Sequence, residues 1–208
     1  MIASDILPDS SALVNDSGGL TWNNAVLFPY LKLAYDELVK HYQDAGVSFL
    51  SEVSTVVDVA AGIKSITSIT DLILAKKLEE RADGSTGLYT PMTETDWELG
   101  IDLTEELRFW NFREGEIKLV GATSAREVRV YYMKTLSSLS TVSSTVAIPD
   151  GKLFLVYRTA ALAAGLSGGN GDRALELNRE AQFFKDTLIN IQVKGSQGLP
   201  VRHKRYRS

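Results

Sequence analysis

The stretch Leu107–Thr135 constrains the fold most, because it holds three segments with the two-residue period of β-strands. Residues 126–133 alternate apolar with polar side chains, residues 116–120 do the same, and residues 109–112 form a short aromatic segment. The residues between the first two segments, Arg113 to Gly115, suit a three-residue hairpin loop with the glycine in the left-handed position. We therefore predict three consecutive strands, each with one buried face.

Composition indicates a folded chain with a substantial core. Of 208 residues, 44% are hydrophobic and 23% are charged, which argues against disorder. The chain has no cysteine and therefore forms no disulfide and no thiolate metal site. The N-terminus lacks a basic region followed by an apolar run, so we expect no secretory signal. The most apolar segment, Leu153–Leu166, is too short to span a bilayer. We expect synthesis in the cytoplasm and no membrane partner.

Charge is unevenly distributed along the chain. The net charge is −4, yet the segment Lys194–Ser208 holds five cations and no acid. The rest of the chain therefore carries −9. An acidic body with a basic tail is an asymmetry that points to a specific partner or function.

The N-terminal part predicts an arm followed by a helix. Residues 1–20 are rich in Ser, Asp and Gly and indicate an extended arm or loop. A helix capped by Thr21 is predicted to run to Ala45 and to end at Gly46, with a kink or break at Pro29. Its apolar positions follow helical spacing and are Leu27, Leu31, Ala34, Leu38, Tyr42 and Ala45.

The next part contains the most ambiguous segment. Val47–Thr70 is rich in Val, Ile, Ser and Thr and predicts one or two strands with a turn at Ala61-Gly62. Residues 71–82 include LILAKKLEERA, whose good helix formers favour a helix over a strand. Residues 83–102 are loop-like and include Gly84, Gly87 and Pro91. Since so long a loop is unusual in a compact domain, we interpret it as a candidate interaction loop.

The C-terminal part predicts a helical hairpin. Ser137–Ser144 is a Ser/Thr-rich linker, and Pro149 is expected to open a helix to about Ala164. Asn170 or Asp172 caps a last helix to about Val193, joined to the first by a short glycine-rich turn. The apolar stripe of this last helix has bundle spacing and consists of Ala174, Leu177, Ala181, Phe184, Leu188 and Ile191.

No reactive constellation is evident, so we expect no catalytic residue, no cofactor and no metal. The two histidines, His41 and His203, lack a second histidine or a suitably spaced acid. No nucleophile-elbow pattern accompanies the many serines. Acidic clusters are interpreted as solvated faces rather than acid/base pairs; they are Glu79-Glu80, Glu94-Asp96-Glu98 and Asp102-Glu105-Glu106. Gly165–Gly171 follows a helix and lacks a Lys-Ser/Thr pair, which favours a turn over a phosphate loop.

Two further features point to packing and docking. The tryptophans, Trp22, Trp97 and Trp110, are expected as core or interface anchors, with Trp110 and Phe112 on one buried face of the β part. The basic tail mixes cations with apolar residues, which a purely solubilising tail does not need. We therefore predict a docking arm whose contacting residues are Gln197, Leu199, Pro200, Val201, Arg202, Lys204, Arg205, Tyr206 and Arg207.

Several landmarks together carry a family resemblance. An aromatic-rich helix, WNNAVLFPYLKLAYDELVKHYQDAG, precedes a β-rich part and the block RFWNFREGEIKLVGATSAREVRVYYMKTL. An Ala-rich helix after IPDG and the ending QGLPVRHKRYRS complete the series. In this order, the chain resembles the head-to-tail connector, or adaptor, proteins of tailed bacteriophages.

The resemblance implies both an architecture and a place in a particle. It implies an α+β fold, mainly a helical bundle with an inserted antiparallel β subdomain and extended N- and C-terminal arms. Residues 21–193 would form the connector domain and residues 194–208 the docking tail. It further implies a structural protein of the virion neck, assembled as a dodecameric ring beneath the portal protein. The implied partners are the portal, neighbouring copies, a stopper or tail protein below, and genomic DNA that passes without specific binding.

Three other functions remain open at this point. A stopper or tail-completion protein sits one ring lower in the same neck. A nucleic-acid-binding regulator would use the basic tail, although a body at −9 argues against it. An enzyme or small-ligand protein would need a site that the sequence does not show.

Overall fold

The computed structural model describes residues 1–16, 18–96, 102–166 and 171–196, and it consists of two compact units. The helical unit comprises Met1–Ser48 and Leu136–Ser208, and the β unit comprises Phe49–Thr135. The second is thus inserted into the first along the chain. Within the described residues, no helix combines the length and the apolar character needed to cross a membrane.

The predicted class, α+β, is confirmed, but the expectation of a mainly helical bundle is wrong. Helices make up 39% of the chain and strands 25%, so the strands form a major part of the fold rather than a small insertion. The helices have these bounds: α1 Leu7–Leu13, α2 Asn24–Asp44, α3 Lys152–Leu166 and α4 Gly171–Ser196. The strands have these bounds: β1 Ser51–Val53, β2 Val57–Val59, β3 Ser65–Ile66, β4 Leu72–Ala82, β5 Thr90–Pro91, β6 Thr93–Glu94, β7 Phe109–Arg113, β8 Glu116–Leu119 and β9 Arg126–Lys134.

The N-terminal segment is not an extended arm. A 3-10 helix at Ala3–Asp5 leads into α1, and the side chains of Ala3, Ile6 and Leu7 are fully buried. The sequence expectation was wrong because it rested on the polar and glycine content of residues 1–20. The few apolar residues among them provide enough buried surface to hold the segment in the helical unit.

The segment predicted as a linker, Ser137–Ser144, is also part of this fold. The amides of Ala3 and Ser4 donate to the carbonyls of Ser144 and Val142 at 3.0 and 2.8 Å. Leu139 is 1% exposed. The beginning of the chain is therefore hydrogen-bonded to a segment that lies far along the sequence.

Helix α2 begins two residues later than a Thr21 cap predicts. Asn23, rather than Thr21, caps the helix. Its Oδ1 atom accepts hydrogen bonds from the amides of Ala25 and Val26 at 3.0 and 3.1 Å. Pro29 lies inside the helix without a break in the assigned helix. The predicted end is confirmed, since α2 stops at Asp44 and Gly46 has a φ of +62°.

Helix α3 is central in the helical unit, where it packs against α1, α2 and α4. The Tyr157 and Phe184 rings lie 5.3 Å apart, and a methyl group at Gly165 would lie 3.8 Å from Ala174, so α3 and α4 run antiparallel as predicted. Of the predicted stripe, Leu177, Ala181 and Leu188 are buried, whereas Ile191 is 60% exposed. The expectation for Ile191 was wrong because α4, with 26 residues, is longer than the 15-residue α3 that covers it. Asn170, one of the two predicted caps, lies outside the described residues.

The β unit contains two sheets. One has the order β1-β9-β4-β5, with β2 also paired to β9, and the other has the order β3-β8-β7-β6. All pairings are antiparallel except β6 with β7. The three predicted strands are confirmed as β7, β8 and β9. The turn at Ala61-Gly62 is confirmed as well, with a φ of +79° at Gly62.

The hairpin between β7 and β8 has a shorter loop than predicted. Arg113 and Glu116 are paired residues of the ladder, so only Glu114 and Gly115 form the turn. Both have positive φ, 57° and 79°. Two-residue hairpin turns of this type need two left-handed residues because their twist matches that of the strands.

Residues 71–82 form a strand, so the prediction of a helix was wrong. β4 pairs with β9 from Leu72↔Lys134 to Ala82↔Arg126, with bulges near Leu72/Leu74 and Ala75/Lys77. Helix propensity differs by less than about 0.7 kcal/mol per residue between ordinary residues. A long ladder of cross-strand pairs outweighs so small a preference.

The core of the β unit lies between its two sheets and contains one buried ion pair. Trp110 is 1% exposed, so its predicted burial is confirmed. Arg126 donates to both carboxylate oxygens of Glu80 at 2.6 and 2.9 Å, and the side chains are 10% and 5% exposed. Glu80 is therefore not part of a solvated acidic face, which corrects the interpretation of the Glu79-Glu80 cluster. Its ion-pair partner, Arg126, lies 46 positions away in the sequence, so a local sequence pattern could not predict the pairing.

Candidate interaction surface

The predicted docking tail lies outside the described residues. Helix α4 ends at Ser196, and the predicted contacting residues, from Gln197 to Arg207, all follow it. Trp97, one of the three expected anchors, also lies outside the described residues. Trp22 is half-buried and packs edge-on against Tyr30, with ring centroids 6.2 Å apart.

The outer face of the β4–β9 pair carries a ladder of charged and aromatic side chains. The pairs across it are Lys77↔Tyr131, Glu79↔Arg129 and Arg81↔Glu127. Because side chains alternate along a strand, these residues point away from the core that holds Leu78, Glu80, Val128 and Val130. Apolar residues thus line one face of the two strands and polar residues the other.

This outer ladder is closely connected by hydrogen bonds. Arg81 Nε donates to Glu127 Oε2 at 2.6 Å, and the Tyr131 hydroxyl donates to Glu79 Oε2 at 2.9 Å. Lys77 Nζ lies 2.6 Å from Glu79 Oε1. The hydrogen bond from Arg81 holds the pKa of Glu127 below its usual range, and the one from Lys77 does the same to the pKa of Glu79. Both carboxylates are therefore charged at neutral pH.

Tyr89 is held between two guanidinium groups. The Arg81 and Arg129 Cζ atoms lie 4.5 and 4.0 Å from its ring centroid, and its hydroxyl donates to Glu127 Oε2 at 3.1 Å. Each cation–π contact contributes about 0.5–1 kcal/mol at an exposed site. Together these contacts fix the residue at which the chain returns from the 83–89 loop to β5.

The 83–89 loop is further held along its length. The Gly84 amide donates to Glu127 Oε1 at 3.2 Å, and the Gly87 amide donates to Ser85 Oγ at 3.0 Å. Its one large apolar residue, Leu88, is 95% exposed, the highest value among the large apolar side chains in the described part of the chain. A well-held loop therefore presents a leucine to solvent. The sequence predicted an interaction loop over 83–102 but did not single out Leu88, although the only aliphatic residue in a Gly/Ser/Thr segment is such a signal.

A group of three carboxylates near this loop has the spacing of a cation site. Oxygens of Asp58, Asp83 and Glu127 lie within 4.8 Å of one another. Glu127, however, already accepts hydrogen bonds from Arg81, Tyr89 and the Gly84 amide. Its carboxylate is thus committed to holding the loop, and we assign no metal to the group.

The opposite end of the sheet contains a recess of about 260 Å³, here called the β1 recess. It is lined by residues 52–55, residues 68–71 and Tyr132. Val53, Ile69 and Tyr132 supply its apolar surface. The Tyr132 hydroxyl donates to Asp71 Oδ1 at 3.0 Å, and burial, with this hydrogen bond, raises the pKa of Tyr132 to about 12. Most of the residues that line the recess are polar, and two of them, Glu52 and Asp71, are acidic.

The helical unit also exposes large apolar side chains. On α2, Val26 and Leu33 are 41% and 57% exposed, and on α4, Leu175 and Phe183 are 60% and 64% exposed. Single exposed apolar side chains are also common on monomeric proteins, so they do not by themselves mark an interface. The chemistry of this unit is otherwise ordinary: His41 lies on α2 and contacts Lys185 at 3.3 Å, as expected for a helix-surface histidine.

Comparison with known protein families gives one match. A family model described as SU10 adaptor protein matches residues 1–204, which is nearly the whole chain. No curated protein matches the chain at a significant level.

Proposed function

The chain belongs to the SU10 adaptor protein family, a family of phage structural adaptor proteins, and on this premise we propose that it joins the portal vertex to the tail in the virion neck. In this proposal, copies of the chain form a ring, and the genomic DNA passes through its lumen. The role is structural, without a catalytic step.

The single observation that carries the proposal is the extent of the family match. Residues 1–204 include the helical unit, the inserted β unit and most of the basic tail. The match therefore covers the β unit, the described part of the helical unit and the tail as far as Lys204. The same description favours an adaptor over a stopper or tail-completion protein.

One property of the described surface is compatible with assembly with other proteins. Large apolar side chains are exposed on both units, including Leu88 and Phe183. Copies in a closed ring each contact two neighbours through different surfaces, in addition to the proteins above and below. A chain with this role needs several separate interaction surfaces.

The charge distribution supports a channel for DNA. Outside residues 194–208 the chain carries −9, and like charge keeps DNA from adhering to the wall of the ring. Specific binding of DNA would instead need a basic face. The cations are concentrated in the tail, where they are available for an acidic protein surface.

We assign portal binding to the tail. Arg202, Lys204, Arg205 and Arg207 would meet acidic portal side chains, and Leu199, Val201 and Tyr206 would supply apolar anchors. Pro200 restricts the backbone to an extended conformation, which lowers the entropy lost on docking.

Deletion of residues 197–208 tests this assignment. Because α4 ends at Ser196, the truncated chain is expected to keep its circular dichroism and melting temperature while losing binding to purified portal rings. A matched variant keeps the full length and changes Arg202, Lys204, Arg205 and Arg207 to Gln. If the truncated chain still binds portal rings and yields infectious particles, the contact lies on the folded body instead.

Imaging of the neck tests the ring. We expect a closed ring of copies, twelve in the arrangement that the connector resemblance implies. The isolated chain is expected to be monomeric, since its exposed surfaces close only on a template. A single subunit in the particle would overturn the ring, and a purified chain that captures a tail protein but no portal would favour the stopper position.

A further inference from the structure

We propose that Leu88 of one copy docks in the β1 recess of the next copy, with Arg129 facing Asp71 across this contact. The inference rests on the proposed function, because it names surfaces through which the copies of the ring meet. Both partners in the contact belong to the β unit, so each copy offers one of each.

The first argument is that Leu88 is presented in advance of binding. Its neighbour Tyr89 is fixed by Arg81, Arg129 and Glu127, and the 83–89 loop is tied to the sheet at Gly84. A side chain held in its bound position loses little conformational entropy when it docks. Such a loop has no evident use within its own copy, since Leu88 is 95% exposed.

The second argument is position. The 83–89 loop follows the last residue of β4, whereas Ile69 and Asp71 of the recess precede its first residue. With a rise of about 3.3 Å per residue, the 11 residues of β4 separate the two by roughly 30 Å. A copy therefore cannot fill its own recess. Contact between two different surfaces of identical copies generates a ring when the rotation between successive copies closes.

The third argument is size. The recess has a volume of about 260 Å³, and Val53, Ile69 and Tyr132 form the smaller, apolar part of its surface. An apolar cavity of about 150 Å³ is sufficient for a benzene molecule. The recess therefore has room for the four carbons of a leucine side chain.

The fourth argument is charge. Glu79 and Glu127 form ion pairs with Lys77 and Arg81. Arg129 lies opposite Glu79 in the ladder and over the Tyr89 ring, but it has no carboxylate within 4.0 Å among the described residues. At the recess, Glu52 pairs with Lys134. Asp71 accepts the Tyr132 hydroxyl but forms no ion pair in the described part of the chain. One unpaired cation beside the leucine thus matches one unpaired carboxylate at the recess.

Cysteine cross-linking in assembled particles tests the contact. The natural chain has no cysteine, so Leu88→Cys and Ile69→Cys introduce the only thiols. With both changes in one chain, oxidation should give a ladder of disulfide-linked multimers on a non-reducing gel, and each single variant should give none. A chain with Leu88→Cys and Leu175→Cys is the matched control for random collision, since Leu175 is also exposed but lies on α4.

The outcomes separate this inference from the proposed function. Rings that form normally without the ladder overturn the contact and leave the adaptor role intact. A Leu88→Cys chain that links to another virion protein assigns the leucine to a different partner and also overturns it. A wild-type chain that forms no ring in particles removes the proposed function itself.

Charge reversal gives a second, independent test. Arg129→Asp and Asp71→Arg are each expected to lower the yield of infectious particles about tenfold, because like charges then face each other. The double variant should give a clearly higher yield than either single variant, although the contact of Arg129 with Tyr89 stays lost, and a purely structural role of either residue does not explain such a recovery. Failure of the double variant to recover, with both single variants folded by circular dichroism, overturns the pairing.

Discussion

Each face of the β4–β9 pair carries an ion pair between an arginine and a glutamate, but the two ion pairs lie in different environments. On the core face, Arg126 and Glu80 form an ion pair that is 10% and 5% exposed. One residue further along each strand, Arg81 and Glu127 form an ion pair on the outer face that is 23% and 12% exposed. The first pair is buried, with a second carboxylate, that of Glu106, 3.9 Å from Arg126, whereas the second pair holds an exposed loop.

The difference shows that the environment, rather than the pairing, decides what an ion pair contributes. A buried pair is strongly unfavourable to break, because the remaining charge has no water to solvate it. An outer pair is close to neutral for stability, because water can replace either partner. We therefore expect the core pair to determine whether the β unit folds and the outer pair to determine how its loop is presented.

The largest expected effect is that of Arg126→Ala. It leaves the Glu80 carboxylate buried without its partner and should lower the free energy of unfolding by about 3–5 kcal/mol. Arg81→Ala is the matched control, with an expected loss of about 1–2 kcal/mol, because it removes a partly exposed ion pair and one cation–π contact with Tyr89. Chemical denaturation measures both. Equal losses for the two variants would contradict the contrast between the faces.

A double replacement sharpens the same contrast. Arg126→Met combined with Glu80→Leu removes both charges and keeps apolar volume. The double variant should recover most of the stability that Arg126→Ala loses, since no unpaired charge remains in the core.

Trp110→Ala tests the apolar part of the core. Trp110 is 1% exposed, so its removal should cost about 3–5 kcal/mol through lost burial and the cavity left behind. Phe109→Ala on the same strand is the control, because Phe109 is 37% exposed. An unchanged melting temperature for Trp110→Ala would show that the ring does not contribute to the core.

Tyr89→Ala removes the centre of the outer network. Loss of two cation–π contacts should lower the stability by about 1–2 kcal/mol. The larger effect is expected in the 83–89 loop, whose amides should exchange hydrogen faster once the ring is gone. Tyr89→Phe keeps both ring contacts and loses only the hydroxyl bond to Glu127, so its loop should stay protected. Fast exchange in wild type would contradict a pre-held loop.

The smallest expected effect is a pH dependence of the outer pair. The pKa of Glu127 is lowered from 4.5, chiefly by the hydrogen bond from Arg81. A depressed folded pKa contributes stability that is present above the unfolded value and is lost as the pH falls through the folded value. Glu127→Gln should therefore melt below wild type at neutral pH, and the gap should close at pH values below 4.5. If the difference in melting temperature instead grew as the pH fell, the predicted direction of the effect would be wrong.

The elements that were predicted correctly are those whose sequence signal lies within the element itself. The alternation in β9, the hairpin at Gly115 and the spacing of Leu177, Ala181 and Leu188 are all properties of neighbouring residues, and the structure confirms them. β4 and the N-terminal segment were mispredicted because their structure depends on distant partners. β4 is a strand through its pairing with β9, and residues 2–4 are held by residues 142–145.

The candidate surface was predictable only in outline. The length and composition of residues 83–102 indicated an interaction loop, and the tail was identified by its charge. The contacts of Arg81 and Arg129 with Tyr89 were not predictable, because these two arginines come together only through the β4–β9 register. The β1 recess likewise combines residues from segments that are distant in sequence.

The insertion of the β unit into the helical unit has a consequence for synthesis on the ribosome. Residues 49–135 are continuous and can fold once they have emerged, whereas α2 must wait for α3. At about 5–20 residues per second, roughly 100 residues of translation separate them by about 5–20 s. During that interval the apolar face of α2 has no native partner in its nascent chain. The β unit is therefore made second but can complete its fold first. The N-terminal helices depend most on protection from aggregation while the chain is being made.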